Sequence, residues 1–250
     1  MNQEFSEKVV WVTGAAQGIG AAIARCFQAE GARVIGLDQA FNADISHLNR
    51  AITLDVTDAD TVRACCAELL ISEGLDVLIN AAGVLRTGLL AQLGEEDWHA
   101  CIDTNAGGVY RMLHHTIGHF KAQGSGAIVT VGSNAAHAPR VGMSAYGASK
   151  AAVRSLCLSA GLELAPYGVR CNLVSPGSTD TAMQRSLWHS PDSEQQTIRG
   201  FPDEFKLGIP LGKIAQPQDI ADAVLYLASP RAGHVTLQDI VIDGGATLGA

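Results

Sequence analysis

Tyr146 and Lys150 stand four residues apart near the start of a segment with helical character, 144–165, so both side chains fall on one face. A phenol ionises near pH ~10 and is a poor base at neutrality, but a nearby cation favours the phenolate. Lowering its pKa by about 3 units takes roughly 4 kcal/mol of differential stabilisation, within reach of close charges away from bulk water. The pair therefore suits removal of a hydroxyl proton by a general base. Ser133 closes a strand thirteen positions before Tyr146, where its hydroxyl could hold a substrate oxygen beside the phenol. Asn105, in Thr104-Asn105-Ala106-Gly107-Gly108, could bond backbone and order water leading to Lys150. An Asn and two glycines are locally unfavourable inside a helix, and such violations often mark function. A Tyr-x-x-x-Lys pair alone can equally be surface decoration, so its meaning depends on what positions it.

Short apolar runs at 9–13, 33–37, 51–54, 76–79, 127–131, 169–174 and 240–242 read as strands. Helical stretches fall at 18–30, 58–73, 95–123, 144–165 and 216–228. Unbroken Val/Ile/Leu runs are those of strands buried on both faces, as in a parallel sheet. Their alternation with helices predicts an α/β fold: one Rossmann-like domain over 1–250, its doubly wound parallel sheet of about seven strands flanked by helices on both faces. The polar stretch 42–50 is expected to be irregular. Residues 176–210, past the carboxyl end of the sixth strand, show no clear period, and their position predicts a substrate lid.

The first strand runs into Gly14-Ala15-Ala16-Gln17-Gly18-Ile19-Gly20. Glycines here let backbone turn tightly and approach a pyrophosphate at a positive helix N-terminus. The spacing is G-x-x-x-G-x-G, and by itself it could be a plain tight turn. Asp38 ends the second strand about 20 residues later, where a carboxylate can accept hydrogen bonds from ribose hydroxyls and repel a 2′-phosphate. The next residue is Gln39, and no basic residue lies between Gly14 and Gly20, so NAD is expected over NADP. The alternative for Asp38 is a turn residue. Asp55-Val56 after the third strand could place a carboxylate near the adenine amino group. Asn80, Ala81 and Gly83 after the fourth offer small residues against which a cofactor can lie. A positively charged nicotinamide would then join Lys150 in favouring the Tyr146 phenolate.

Composition narrows the partners. The 250 residues carry a net charge of −8 and no Lys/Arg cluster, which argues against nucleic acid. No apolar stretch reaches the roughly 20 residues of a membrane helix, so no membrane partner is expected. The start MNQEFSEKVV lacks the features of a signal peptide, and the six cysteines form no C-x-x-C pair. A cytoplasmic protein with reduced thiols is the expectation. His115 and His119 have a metal-ligand spacing, but residue 116 is Thr and no carboxylate completes a site, so no metal is expected.

With T-G-x-x-x-G-x-G, N-A-A-G, the Asn, the Ser and Y-x-x-x-K in order, the chain resembles the short-chain dehydrogenase/reductases from end to end. The resemblance implies a catalytic tetrad of Asn105, Ser133, Tyr146 and Lys150. It also implies a segment, Pro176, Gly177, Thr179 and Thr181, that cradles nicotinamide and pyrophosphate. The family's tetramers imply a homotetramer. The blocks SNAAHAPRVGMSAYGASK, SPGSTDTAMQRSLW and FKLGIPLGKIA, which include the lid, resemble a subgroup of catechol siderophore (enterobactin-type) biosynthesis. Its implied substrate is a small carboxylated cyclohexadiene diol, oxidised at a ring hydroxyl by NAD and then tautomerised to a catechol. Arg86, Arg140 and Arg185 are candidates to hold the carboxylate, with the surface-arginine alternative open for each. His137 and Met143 could wall the pocket, or be a loop histidine and a packing residue. The nearest alternatives are an NAD-linked oxoacyl reductase or sugar-alcohol dehydrogenase, which the lid would distinguish. A non-catalytic NAD(H) sensor is a further one, disfavoured by the intact tetrad.

Overall fold

A computed structural model describes residues 3–42 and 44–249. Met1 and Asn2, from the stretch read for a signal peptide, lie outside the described residues, as do Ala43 and Ala250. The strands are β1 (Val9–Thr13), β2 (Arg33–Asp38), β3 (Arg50–Thr53), β4 (Val77–Asn80), β5 (Gly126–Val131), β6 (Val169–Pro176), the two-residue β7 (Gly200–Phe201) and β8 (Lys206–Leu207), and β9 (Asp239–Ile242). The helices are α1 (Gly18–Ala29), α2 (Ala59–Ser72), α3 (Glu95–Cys101), α4 (Gly108–Gln123), α5 (Ser144–Leu164), α6 (Ala182–Arg185), α7 (Ser193–Arg199) and α8 (Pro217–Ala228).

Seven strands form one parallel sheet in the order β3-β2-β1-β4-β5-β6-β9, the doubly wound arrangement expected. Along β1, Val10 and Val12 face one layer and Trp11 the other, all three fully buried, because successive strand side chains alternate. The first layer packs α1 and α8 against the sheet through Ile23, Phe27, Ile220 and Val224. The second packs α2, α4 and α5 through Leu69, Met112, Phe120 and Val153. The order reverses between β1 and β4, and the register sets Thr13 level with Leu37 and Asn80. Strand ends from both halves thus open on one crevice, where such sheets bind ligands.

Three expectations are corrected. The region 95–123 is not one helix, since a π-helical turn, Ile102–Gly107, separates α3 from α4. At Gly108 a Cβ would come within 2.7 Å of Val56 Cγ2, so the break sits where the chain runs hard against the β3–α2 loop. The stretch 176–210 is not structureless: it holds α6, α7 and a small antiparallel hairpin of β7 and β8. These elements span two to seven residues, too short for a period to declare itself. Of 42–50, Ala43 lies outside the described residues and Arg50 already belongs to β3. There Arg50 pairs with Ile35 and its guanidinium meets Glu68 and Glu73.

Candidate active site

A cavity of about 370 Å³ opens at the carboxyl ends of β1, β2, β4, β5 and β6. At one end its floor is the β1–α1 turn, with Gly14, Gln17, Gly18, Ile19 and Gly20 on its surface. Gly14 has φ +69°, and a Cβ there would lie 2.7 Å from Ala82 N; one on Gly20 would lie 2.0 Å from Gly14 O. The turn can close only without side chains at these two places. The Thr13 hydroxyl accepts from Ala81 N and Ala82 N at 3.1 and 3.2 Å, tying the β4 loop to β1. Asp38 lines the cavity; its carboxylate accepts from Ala16 N at 2.9 Å and Gln39 N at 2.8 Å. Val56, Ala81 and Gly83 also line this end.

Two sequence candidates lie behind it. Asp55 does not reach the cavity: one oxygen accepts both the backbone N–H and the hydroxyl of Thr57, at 2.8 Å each. Asn80 is buried in the sheet, donating to Thr130 Oγ1 at 3.1 Å. On the far side, Pro176, Gly177, Thr179 and Thr181 face the cavity. Thr181 caps α6 by accepting from Gln184 N, and its methyl lies over Gly18, so the start of the 176–210 stretch covers the glycine turn.

At the other end, Ser133, Tyr146 and Lys150 line the same cavity. Lys150 is almost wholly buried, and its Nζ donates to Val131 O at 2.9 Å and stands 5.9 Å from the Tyr146 ring centroid. Burial brings its ammonium down to about 8, against the opposing pull of Cys157 and Cys101. Burial pushes Tyr146 up, while the Ser133 hydroxyl and the Arg140 charge work the other way. Ser133 Oγ accepts from Ala135 N at 3.1 Å, which fixes its rotamer.

Asn105 is fully buried and outside the cavity wall. Its Oδ1 accepts from Val84 N at 2.8 Å, and its Nδ2 donates to Val84 O at 3.0 Å and Ser149 Oγ at 2.9 Å. One side chain thus clamps the β4 loop to α5, beside Lys150. The π turn presents it, and Gly83 makes room, since a Cβ there would lie 3.0 Å from Asn105 Oδ1 and 3.6 Å from Lys150 Nζ.

The three arginines separate cleanly. Arg86 pairs with Asp97 at 3.2 Å and Arg185 with Asp180 at 2.6 Å, and neither lines the cavity. Arg140 does, together with Met143. His137 also stays out of the cavity, bonded to the buried Asp239 carboxylate at 2.8 Å. Sequence reasoning missed Lys206 of β8, which lines the cavity, as do Met183, Gln184 and Leu187 around α6. Among the described residues no group of three or more His, Cys, Asp or Glu side chains could hold a metal ion; His119 bonds Leu75 O. No described helix is long and apolar enough to cross a membrane.

Known proteins resemble this chain over nearly its whole length. The family described as enoyl-(acyl carrier protein) reductase is matched over residues 14–247. The chain is 58% identical over 248 residues to a 2,3-dihydro-2,3-dihydroxybenzoate dehydrogenase of Escherichia coli (strain K12), covering 99% of this chain and 100% of that one. It is 45% identical over 253 residues to the protein of the same name from Bacillus subtilis (strain 168), covering 97% of each. A solved short chain dehydrogenase/reductase family protein superposes with a TM-score of 0.85 at 34% identity, over 96% of this chain and 97% of that one. On fold, glycine turn and full-length likeness together, the chain belongs to the short-chain dehydrogenase/reductase family.

Proposed function

We propose that the protein oxidises 2,3-dihydro-2,3-dihydroxybenzoate to 2,3-dihydroxybenzoate with NAD, in catechol siderophore biosynthesis. The observation that carries this reading is full-length identity of 58% to a dehydrogenase of that name, lid included. The nicotinamide cofactor, when bound, supplies the hydride acceptor. The groove fits it: the wall at Gly14 and Gly20 is bare backbone, and Asp38 is held by Ala16 N where ribose hydroxyls would lie. That carboxylate also disfavours a 2′-phosphate, which supports NAD over NADP.

Tyr146 takes the proton of the ring hydroxyl as the C–H bond at the same carbon gives up its electron pair as hydride. Ser133 holds the hydroxyl oxygen. Lys150, with a pKa of about 8, is still mostly an ammonium at neutrality, where it favours the phenolate and passes the proton outward. Asn105 keeps α5 and the β4 loop in register around that lysine. The ketone then tautomerises to the aromatic catechol, which draws the oxidation forward. In this reading residues 1–250 form one catalytic domain and 176–210 its lid. In this reading the protein works in the cytoplasm and, as the family resemblance implies, as a homotetramer.

The test is NADH formation with the carboxylated diene, beside saturated cyclohexanols with and without a ring carboxylate. Efficient turnover of the diene acid, nearly abolished in Tyr146→Phe with NAD binding intact, is expected. No turnover despite NAD binding would withdraw the substrate, and normal turnover by Tyr146→Phe would withdraw the base. In the same assay Asp38→Ala should lower the NAD/NADP ratio of kcat/KM by at least ~10-fold, about 1.4 kcal/mol. An unchanged ratio would remove Asp38 from ribose recognition.

A further inference from the structure

We infer that Arg140 and Lys206 form a two-cation clamp for the ring carboxylate, one jaw fixed beside Tyr146 and the other carried on the β7–β8 hairpin. The inference rests on the proposed ring-acid substrate.

Both side chains line the cavity that holds Tyr146, and both are half-buried. Among the described residues neither makes a salt bridge, and neither donates a side-chain hydrogen bond. The contrast with Arg86 and Arg185 is direct, because each of those is already paired with an aspartate, Asp97 on α3 and Asp180 just before α6. Asp243 bears on Arg140 as a counter-charge, but the two form no salt bridge, and the Asp243 carboxylate is bonded to other groups. Oδ2 accepts from Asn134 Nδ2, Thr247 N and Thr247 Oγ1, and Oδ1 from Gly245 N. Glu204, the acid nearest Lys206 along the chain, is exposed.

Two like charges drawn into one partly dry cavity oppose each other, and each is costly without a counter-charge. Burial lowers the pKa of both groups, and Arg140 lowers that of Lys206 further. The lysine is nevertheless held in place. Its Nζ stands 5.0 Å from the centroid of the Phe201 ring, and Phe201 pairs with Lys206 across the hairpin. A planar carboxylate, with two acceptor oxygens, can meet a guanidinium fork and an ammonium together. Met143, on the same wall, offers an apolar surface for the ring.

The test is calorimetric titration of the NADH-loaded protein with 2,3-dihydroxybenzoate and with catechol, its counterpart without the acid. Binding is measured because Arg140 also bears on Tyr146, so turnover would mix two effects. Wild type should prefer the acid. Arg140→Gln and Lys206→Met, which keeps the stem on Phe201, should each weaken the acid on the order of 10- to 100-fold and leave catechol unchanged. Arg140→Lys and Lys206→Arg should keep most of the preference, which excludes a folding defect as the cause. A wild-type preference that survives both neutral variants overturns the clamp and leaves the substrate reading standing. No wild-type preference for the acid overturns both.

Discussion

At Gly14 and Gly20 the cavity wall is main chain with no room for a side chain, whereas along 182–206 it is made of long side chains such as Met183, Gln184, Leu187 and Lys206. The first end is held by close backbone approach and by buried bonds such as Thr13 to the β4 loop. The second carries Met183, Leu187, Phe205 and Leu207, all exposed, around the half-buried Lys206. Phe205, at the hairpin tip, is 85% exposed and held at φ +54°. The difference follows from what each end meets. A dinucleotide is the same molecule in every enzyme that uses it, so backbone can be fitted to its pyrophosphate in advance. An end assembled from side chains on short elements can be altered without disturbing the sheet.

Three substitutions sharpen or break that contrast. Gly20→Ala strikes the rigid end: its Cβ meets Gly14 O at 2.0 Å, so the turn must open. The expected cost is at least about 3 kcal/mol, read as a fall in Tm of roughly 6–12 °C with NAD binding lost. A melting curve unchanged within a degree or two would show that the turn has slack. Lys150→Met tests the seam between the ends. The unfolded chain holds this proton up to 10.5 and the folded chain only to about 8. Wild-type stability should therefore rise between about pH 8 and 10.5, since the unfolded state binds more protons there. The Met variant lacks that rise. It should gain up to ~3 kcal/mol at pH 7 relative to wild type, less the lost bond to Val131 O, with the gain fading by pH 10.5. Denaturant titrations at both pH values would decide it, and a pH-independent difference would refute the buried-ammonium cost. Phe205→Gly probes the adaptable end, where unfolding free energy should move by no more than about 0.5 kcal/mol. A larger loss, seen in the same titrations, would mean that the hairpin tip is structural.

Most of the sheet was legible because its strands are unbroken apolar runs punctuated by glycine and aspartate, and β1 and β2 end where those runs end. Tyr146 and Lys150 were legible as a spacing on one helix. The π turn was not, because six residues cannot separate a 3.6 period from a wider one, although Asn105, Gly107 and Gly108 marked the place. Arg140 could not be told from Arg86 and Arg185, since what separates them is the aspartate each one meets in space. Lys206 lies in the block FKLGIPLGKIA, but nothing in that block marks it as a site residue. Only the fold of the hairpin brings it to the cavity of Tyr146.

The π turn has a consequence for helical phase. It holds one residue more than an α-helix of the same length would, so α3 and α4 are set about 100° apart around a shared axis. Removing one residue from Ile102–Gly107 would yield a single regular helix, locally the cheaper structure. It would also rotate Met112 and Phe120 out of the core or swing Asn105 away from Val84. The two halves demand different angular settings, and Asn105 sits at the slip between them. The irregularity is thus locked from both sides, and no single deletion can smooth it without giving up either the packing or the clamp.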